Sequence, residues 1–330
     1  MTGNIAGLAF VYPCKQRNPR GPGSNQFPTA ASNRITEKPM NRKRRLHAES
    51  GIVLSICAVF VLALAAHASD HRGAFTEEFH QAYALTPGGR VELDNINGAV
   101  HISTWDRNEV KVDAVKSADS KDRLDEARIE IDSGSDYLSI RTKYRDHDLT
   151  FNWGSHNNPP SVEYTLTVPR GARLDEIKLI NGSLDVTGVS GEVRASCING
   201  ALQARNLSGR AELSTINGHL DAKFDQLSGA SIELKSVNGS VELTIPSDSK
   251  AEIEASTVSG GIENDFGLRV NHHSFVGHDL RGELGSGGPH LKLENVNGHI
   301  EIRHASDGRA LSPAKDLSHR DKDDDDDSEI

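Results

Sequence analysis

The sequence predicts an all-β protein: a β-solenoid, similar to a single-stranded β-helix, with coils of 18–21 residues and a strand-rich insertion near its N-terminal end. Three observations predict it. A β-branched residue followed by Asn-Gly occurs six times: Ile96-Asn97-Gly98, Ile180-Asn181-Gly182, Ile198-Asn199-Gly200, Ile216-Asn217-Gly218, Val237-Asn238-Gly239 and Val296-Asn297-Gly298. Val258-Ser259-Gly260 is a seventh, looser copy. From Ile180 to Val258 the motif returns after 18, 18, 21 and 21 residues, and the step to Val296 is 38, about two periods. A fixed period near twenty marks a repeat architecture. Thirdly, apolar residues flank each motif two apart, as in Val193, Ala195, Leu202 and Ala204 around Ile198, or Ala211, Leu213, Leu220 and Ala222 around Ile216.

That spacing gives two short strands per unit, each with one buried face. Between them Asn-Gly supplies the positive φ that a sharp bend needs. Flank parity also fits an antiparallel β-meander in which each Asn-Gly is a hairpin turn. The recurrence of chemical type from coil to coil favours the solenoid. A second bend then closes three coils on the opposite side, at Val189-Ser190-Gly191, Leu207-Ser208-Gly209 and Leu227-Ser228-Gly229. In a solenoid Asn181, Asn199, Asn217 and Asn238 stack as a side-chain ladder, a structural role. Asn97 and Asn297 share it, together with the turn glycines Gly98, Gly182, Gly200, Gly218, Gly239, Gly260 and Gly298.

Taken in chain order, residues 1–39 are polar and aperiodic, and Met40 is read as the true start. Residues 40–68 read as a secretory signal peptide: basic Asn41–Arg45, the apolar run Gly51–Ala66, then Ala66-His67-Ala68 as the cleavage site. The apolar run is short for a spanning helix, so no transmembrane segment is expected after cleavage. Export places the protein in the periplasm or at the cell surface. Residues 69–84 read as a linker and 85–305 as the repeat domain. Within the latter, 105–175 is the insertion: a strand over Val110–Val115, a short helix within Asp119–Arg128, paired strands around Ile129–Ile131 and Tyr137–Ile140, and a strand over Val162–Val168 that covers the open end of the stack. The tail, 306–330, ends in five consecutive Asp and reads as disordered.

Composition narrows the function classes. Residues 69–330 hold 28 Lys and Arg against 45 Asp and Glu, a net of −17, so nucleic acid is excluded as a partner. Cations, basic partners and neutral glycans remain open. Cys197 alone follows the cleavage site, so no internal disulfide framework is available. It occupies the slot before an Ile-Asn-Gly as a small filler.

Candidate chemistry is sparse. Outward residues five past the motif start form a mostly acidic stripe, Asp185, Asp221, Glu242, Glu263 and Glu301, with Gln203 in the series. Stacked carboxylates repel one another, so the stripe is a weak candidate for Ca²⁺; otherwise it is a solvated face. A carboxylate pair among Asp185, Asp221 and Glu242 is the one enzymatic alternative, a polysaccharide hydrolase or lyase. Aromatic residues are 5% of the chain, which leaves no platform for sugars beside that stripe. His147, His156, His272, His273, His278 and His290 lie in no recognisable ligand spacing. Trp153, in a polar loop, is the candidate contact residue. No catalytic residue and no cofactor are assigned.

The runs Val91–Gly98 and Trp105–Val112, followed by the Asn-Gly rungs, resemble the bacterial putative-adhesin family of unknown function over roughly residues 85–305. The resemblance implies an exported β-repeat protein and carries no catalytic residues. The function expected is a non-catalytic adhesive or structural surface for an envelope component, a glycan or a protein partner. The alternatives are the polysaccharide enzyme and an accessory role in envelope-stress sensing.

Overall fold

Alternating apolar positions become strands throughout the computed structural model, which describes residues 75–144, 159–273 and 277–317. All lie in one compact unit, Ala68–Ile330. The expected signal segment, Trp153, His147, His156 and the Asp run of the tail fall outside the described residues.

The chain opens with β1 (Phe75–Ala84), β2 (Arg90–Asn97), β3 (Val100–Trp105) and β4 (Glu109–Ala118). A single helical turn, α1 (Lys121–Leu124), precedes β5 (Ala127–Ser133), β6 (Tyr137–Tyr144) and β7 (Ser161–Pro169). The central coils are β8 (Arg173–Asn181) with β9 (Leu184–Thr187), and β10 (Val193–Asn199) with β11 (Leu202–Leu207). Next come β12 (Ala211–Asn217) with β13 (Leu220–Phe224), and β14 (Ile232–Asn238) with β15 (Val241–Ile245). The chain closes with β16 (Ala251–Ser259), β17 (Ile262–Asn264), β18 (Asn271–His272), β19 (His278–Leu284), β20 (His290–Asn297), β21 (Ile300–His304) and β22 (Ala314–Asp316).

Each coil gives one strand to each of two sheets. The strand before Asn-Gly joins a sheet ordered β18-β19-β16-β20-β14-β12-β10-β8-β2-β6-β5, with β22 beside β19. The strand after it joins β1-β4-β7-β3-β9-β11-β13-β15-β21-β17. Asn199 lies opposite Asn181 and Asn217 in parallel register, and Leu202 opposite Leu184 and Leu220. Strands joined by Asn-Gly therefore sit in different sheets, and the solenoid, not the hairpin meander, is the fold. In six of the bends the glycine takes a positive φ (Gly98, Gly182, Gly200, Gly239, Gly260 and Gly298), while each Asn stays in the strand.

Chain order and stacking order differ at both ends. The last coil in sequence, β20 with β21, is inserted between β14/β15 and β16/β17. At the other end β6 and β7 run parallel to β2 and β3 and form a further coil that lacks Asn-Gly. Each outermost coil is thereby followed by antiparallel strands that cover it: β4 against β7, β5 against β6, β19 against β16. Antiparallel neighbours need only a short turn, whereas a parallel neighbour needs a full circuit.

Two expected boundaries move. Most of the expected linker 69–84 is β1, ten residues paired antiparallel with β4. The described part of the expected tail, residues 306–317, is held to the fold: Asp307 accepts from Ser247 N and Oγ at 3.2 and 2.7 Å and β22 pairs with β19. The two Ser247 donors, chiefly its buried hydroxyl, hold the Asp307 carboxyl down at about 2.

Inside, residues of like position stack: Val193 on Ala211, Ala195 on Leu213, Leu202 on Leu220, Ala204 on Ala222, all buried. Burying one Val, Leu or Ile contributes about 1.5–3 kcal/mol. In the coil without Asn-Gly, buried Tyr164 and Thr142 bridge the two sheets by a 2.8 Å hydrogen bond, and burial pushes the phenol up to about 12. At the opposite end Asn264 takes an inward position that other coils fill with apolar residues. Its side chain bonds Leu268 N and O, both at 2.9 Å, and ties down the loop whose Phe266 and Leu268 close the core.

Candidate functional site

The Asn-Gly bends form one edge of the solenoid, and three columns run along it. The outermost is the asparagine ladder. Asn181 Nδ2 donates to Asn97 Oδ1 at 2.8 Å, Asn199 to Asn181 at 2.9 Å and Asn217 to Asn199 at 2.9 Å. Asn238 donates to Asn217 and Asn297 to Asn238, each at 3.0 Å. Beneath it the glycine column runs at the closest approach the backbone allows. A Cβ on Gly200 (φ 151°) would sit 1.8 Å from Gly182 O, and one on Gly239 (φ 142°) 1.9 Å from Gly218 O. Further in is a buried polar column, the slot that holds Cys197. Asn95, Cys197, Thr215, Thr257 and Asn295 donate to backbone carbonyls of the adjoining coil. Cys197 is buried, its Sγ is 3.3 Å from Gly182 O, and burial pushes its thiol up. The slot is therefore a capping position for turn carbonyls as well as a filler.

A fourth column follows from strand parity. Since residues one, three and five before the motif start point inward, the β-branched residue itself points outward. Ile198, Ile216, Val237, Val296 and Val258 are 38%, 42%, 39%, 42% and 53% exposed. They form an apolar stripe beside the ladder, with a repeat of about 4.8 Å. This stripe is the functional candidate that the motif reading passed over, although parity alone locates it.

The acidic stripe lies on the other sheet. Stacking order is Asp185, Gln203, Asp221, Glu242, Glu301, Glu263, because the last two coils exchange places. Two arginines, Arg205 and Arg303, each two residues further along its strand, stand among the carboxylates, and His101 lies opposite Asp185 in register. Arg205 reaches Asp221 at 3.4 Å, Arg303 reaches Glu242 at 3.2 Å and Glu301 at 2.7 Å, and His101 reaches Asp185 at 3.0 Å. The Arg303 bond holds the Glu301 carboxyl below its usual range. Among the described residues no group of three or more His, Cys, Asp and Glu side chains has metal-holding geometry. His273 is paired with Asp279, His272 packs edge-on against His278 with ring centroids 4.6 Å apart, and His290 pairs with Glu254 at 3.3 Å.

The outer face of the Asn-bearing sheet is polar and carries two shallow hollows. One, about 270 Å³, is floored by Ser196 and Ser214 and edged by Lys178, Arg194, Glu212 and Lys235. The other, about 380 Å³, lies over β2, β5 and β6 and is lined by Arg90, Glu92, Asp132, Tyr137, Ser139 and Arg141. Tyr137 Oη donates to Asp132 Oδ1 at 3.2 Å, which raises the phenol above its ordinary value.

No described helix is long and apolar enough to cross a membrane. No curated protein matches the chain. Among solved structures, a putative cell adhesion protein from Clostridium sporogenes is 14% identical, with 69% of this chain and all of that one covered and a TM-score of 0.39. A putative adhesin from Bacteroides fragilis is 11% identical, with coverage of 69% and 97% and a TM-score of 0.25. A putative lipid binding protein from Parabacteroides distasonis is 12% identical, with coverage of 71% and 97% and a TM-score of 0.27. One family model matches residues 176–303, a span narrower than the 85–305 expected, since the first coil and the insertion lie outside it. From β8 to β21, therefore, the chain is similar to the Toastrack DUF4097 family, a domain family of unknown function.

Proposed function

We propose that the protein is an exported, non-catalytic component of the cell envelope whose turn edge binds another envelope molecule, a glycan or a protein. Repetition carries the reading. The same exposed β-branched residue and the same asparagine recur along one edge, so a partner that engages one coil meets an equivalent group on the next. Such serial engagement turns weak single contacts into useful avidity. An exposed apolar row of this kind marks an interaction surface more than ordinary surface scatter does. The basic segment, apolar run and small-residue site before Ser69 support export.

The test is a pull-down of Ser69–Ile330 from detergent-solubilised envelope, with and without calcium, beside the triple variant Ile198→Thr, Ile216→Thr, Val237→Thr. Threonine keeps the β-branched shape, so the strands persist. The expected outcome is a saturable partner whose retention falls at least about tenfold in the variant, roughly 1.4 kcal/mol or more. Equal retention by both proteins would remove the turn edge from the reading. Saccharide release from envelope polysaccharide that disappears in Asp221→Asn would replace binding by catalysis.

A further inference from the structure

We infer that the hollow over β2, β5 and β6 is a binding site for a neutral saccharide. The inference goes beyond the proposed function: it concerns a face separate from the turn edge and names a ligand class for it.

Strand register builds the site. Across β6 from Ser139 stand Glu92 on β2 and Asp132 on β5. Along β6, two residues away on either side, stand Tyr137 and Arg141, and Arg90 lies opposite Tyr137. A hydroxyl is thus ringed by two carboxylates, two guanidinium groups and a phenol ring. The hollow runs from Tyr137 to Arg141, about 13 Å along the strand.

Two features set it apart from the rest of the polar surface. Ser139 is only 7% exposed, and its Oγ has no hydrogen-bond partner among the described residues. A buried hydroxyl left unpaired costs about 1–3 kcal/mol, which a ligand hydroxyl seated in the hollow removes. Arg90, Arg141 and Glu92 likewise make no ion pair among the described residues, although most charged residues of the neighbouring coils do; Arg194 alone meets Asp175, Glu192 and Glu212. Unpaired guanidinium groups offer fixed forks of donors, and Glu92 and Asp132 offer acceptors. Vicinal hydroxyls, each both donor and acceptor, satisfy such a set. The Tyr137 ring supplies the apolar face that a pyranose C–H surface covers.

Charge selects within the saccharides. The exported part of the chain has 28 basic against 45 acidic residues, a field that repels polyanions. At the hollow itself Arg90 and Arg141 face Glu92, Asp132 and Glu130, the last already paired with Lys143 at 2.9 Å. A neutral sugar meets neither penalty.

The experiment is titration calorimetry on Ser69–Ile330 with maltotriose, cellotriose, chitotriose and trigalacturonate. The expected result is saturable binding of at least one neutral trisaccharide, tighter than trigalacturonate. Affinity should fall at least tenfold in Ser139→Val and in the double variant Arg90→Gln, Arg141→Gln, while circular dichroism and Tm stay within those of the parent. The triple threonine variant of the turn edge should bind the sugar unchanged. No binding by any neutral trisaccharide, stronger binding of trigalacturonate, or affinity that survives the double variant would each overturn the inference. Envelope capture through the turn edge would stand in that event, so the two readings fail separately.

Discussion

At the turn edge, two neighbouring residues of one motif do unequal work. Asn238 sits on the surface and takes part in two ladder bonds, from its own Nδ2 to Asn217 and from Asn297 to its Oδ1. Water replaces both when the side chain is cut back, so Asn238→Ala should cost about 1 kcal/mol. Gly239 has no such substitute. Its φ of 142° suits glycine, and an added Cβ would lie 1.9 Å from Gly218 O, a backbone atom pinned by the parallel register of the coils. Gly239→Ala therefore combines backbone strain with a steric clash and should cost about 3 kcal/mol or more. Urea unfolding of the two variants checks the order: a midpoint for Asn238→Ala at or below that of Gly239→Ala would show that the ladder, not the glycine column, holds the edge. The motif residues themselves made this column legible. The polar slot was visible as a series of small residues, but its bonds to turn carbonyls needed coordinates, since nothing in a one-dimensional pattern says which carbonyl lies overhead.

Strand positions were readable from period and parity, and the paired strands around Gly134 and the strand ending at Pro169 follow the pattern. Coil order was not readable. Every rung carries the same apolar template, so each is an acceptable neighbour for every other, and sequence alone cannot choose between them. The 38-residue step to Val296 was a trace of the exchange, because the covering strands β18 and β19 occupy that interval. The coil of β6 and β7 was hidden for the opposite reason: it stacks as a rung yet lacks the motif. The hollow over β2, β5 and β6 depends on that stacking, so it too was invisible beforehand. The exchange has a measurable consequence. Removing β20–β22 by ending the chain at residue 289 takes away the coil between β14/β15 and β16/β17, not the outermost one. Hydrogen exchange should then show loss of protection in β16 and β17 as well, with β10–β13 retained. Protection persisting in β16 at the level of the full chain would mean that the two coils stack in chain order.

Across the whole molecule, the excess of acid is distributed so that the densest carboxylate column is already partly compensated in place. Arg205 and Arg303 stand among Asp221, Glu242 and Glu301, and His101 stands at Asp185. A divalent ion entering this column must displace the two arginines, whereas the general repulsion of an excess of acid, 45 acidic against 28 basic residues, is relieved by any salt. The two effects separate in a melting experiment. Raising NaCl from about 10 to 150 mM shortens the screening length from roughly 30 to 8 Å and should raise Tm. Calcium held by a genuine site of Kd near 20 μM would, at about 2 mM, add about 2.7 kcal/mol, which for a domain of this size is roughly 5–10 °C. With the arginines in place, about 2 mM CaCl₂ added at about 150 mM NaCl should move Tm by less than about 1 °C. The same addition to the double variant Arg205→Gln, Arg303→Gln should raise Tm, because the bared carboxylates then repel one another and a bound cation relieves them. A calcium-specific rise of several degrees in the unmodified protein would make the acidic stripe a cation site in its own right, and no rise in either protein would reduce it to a solvated face.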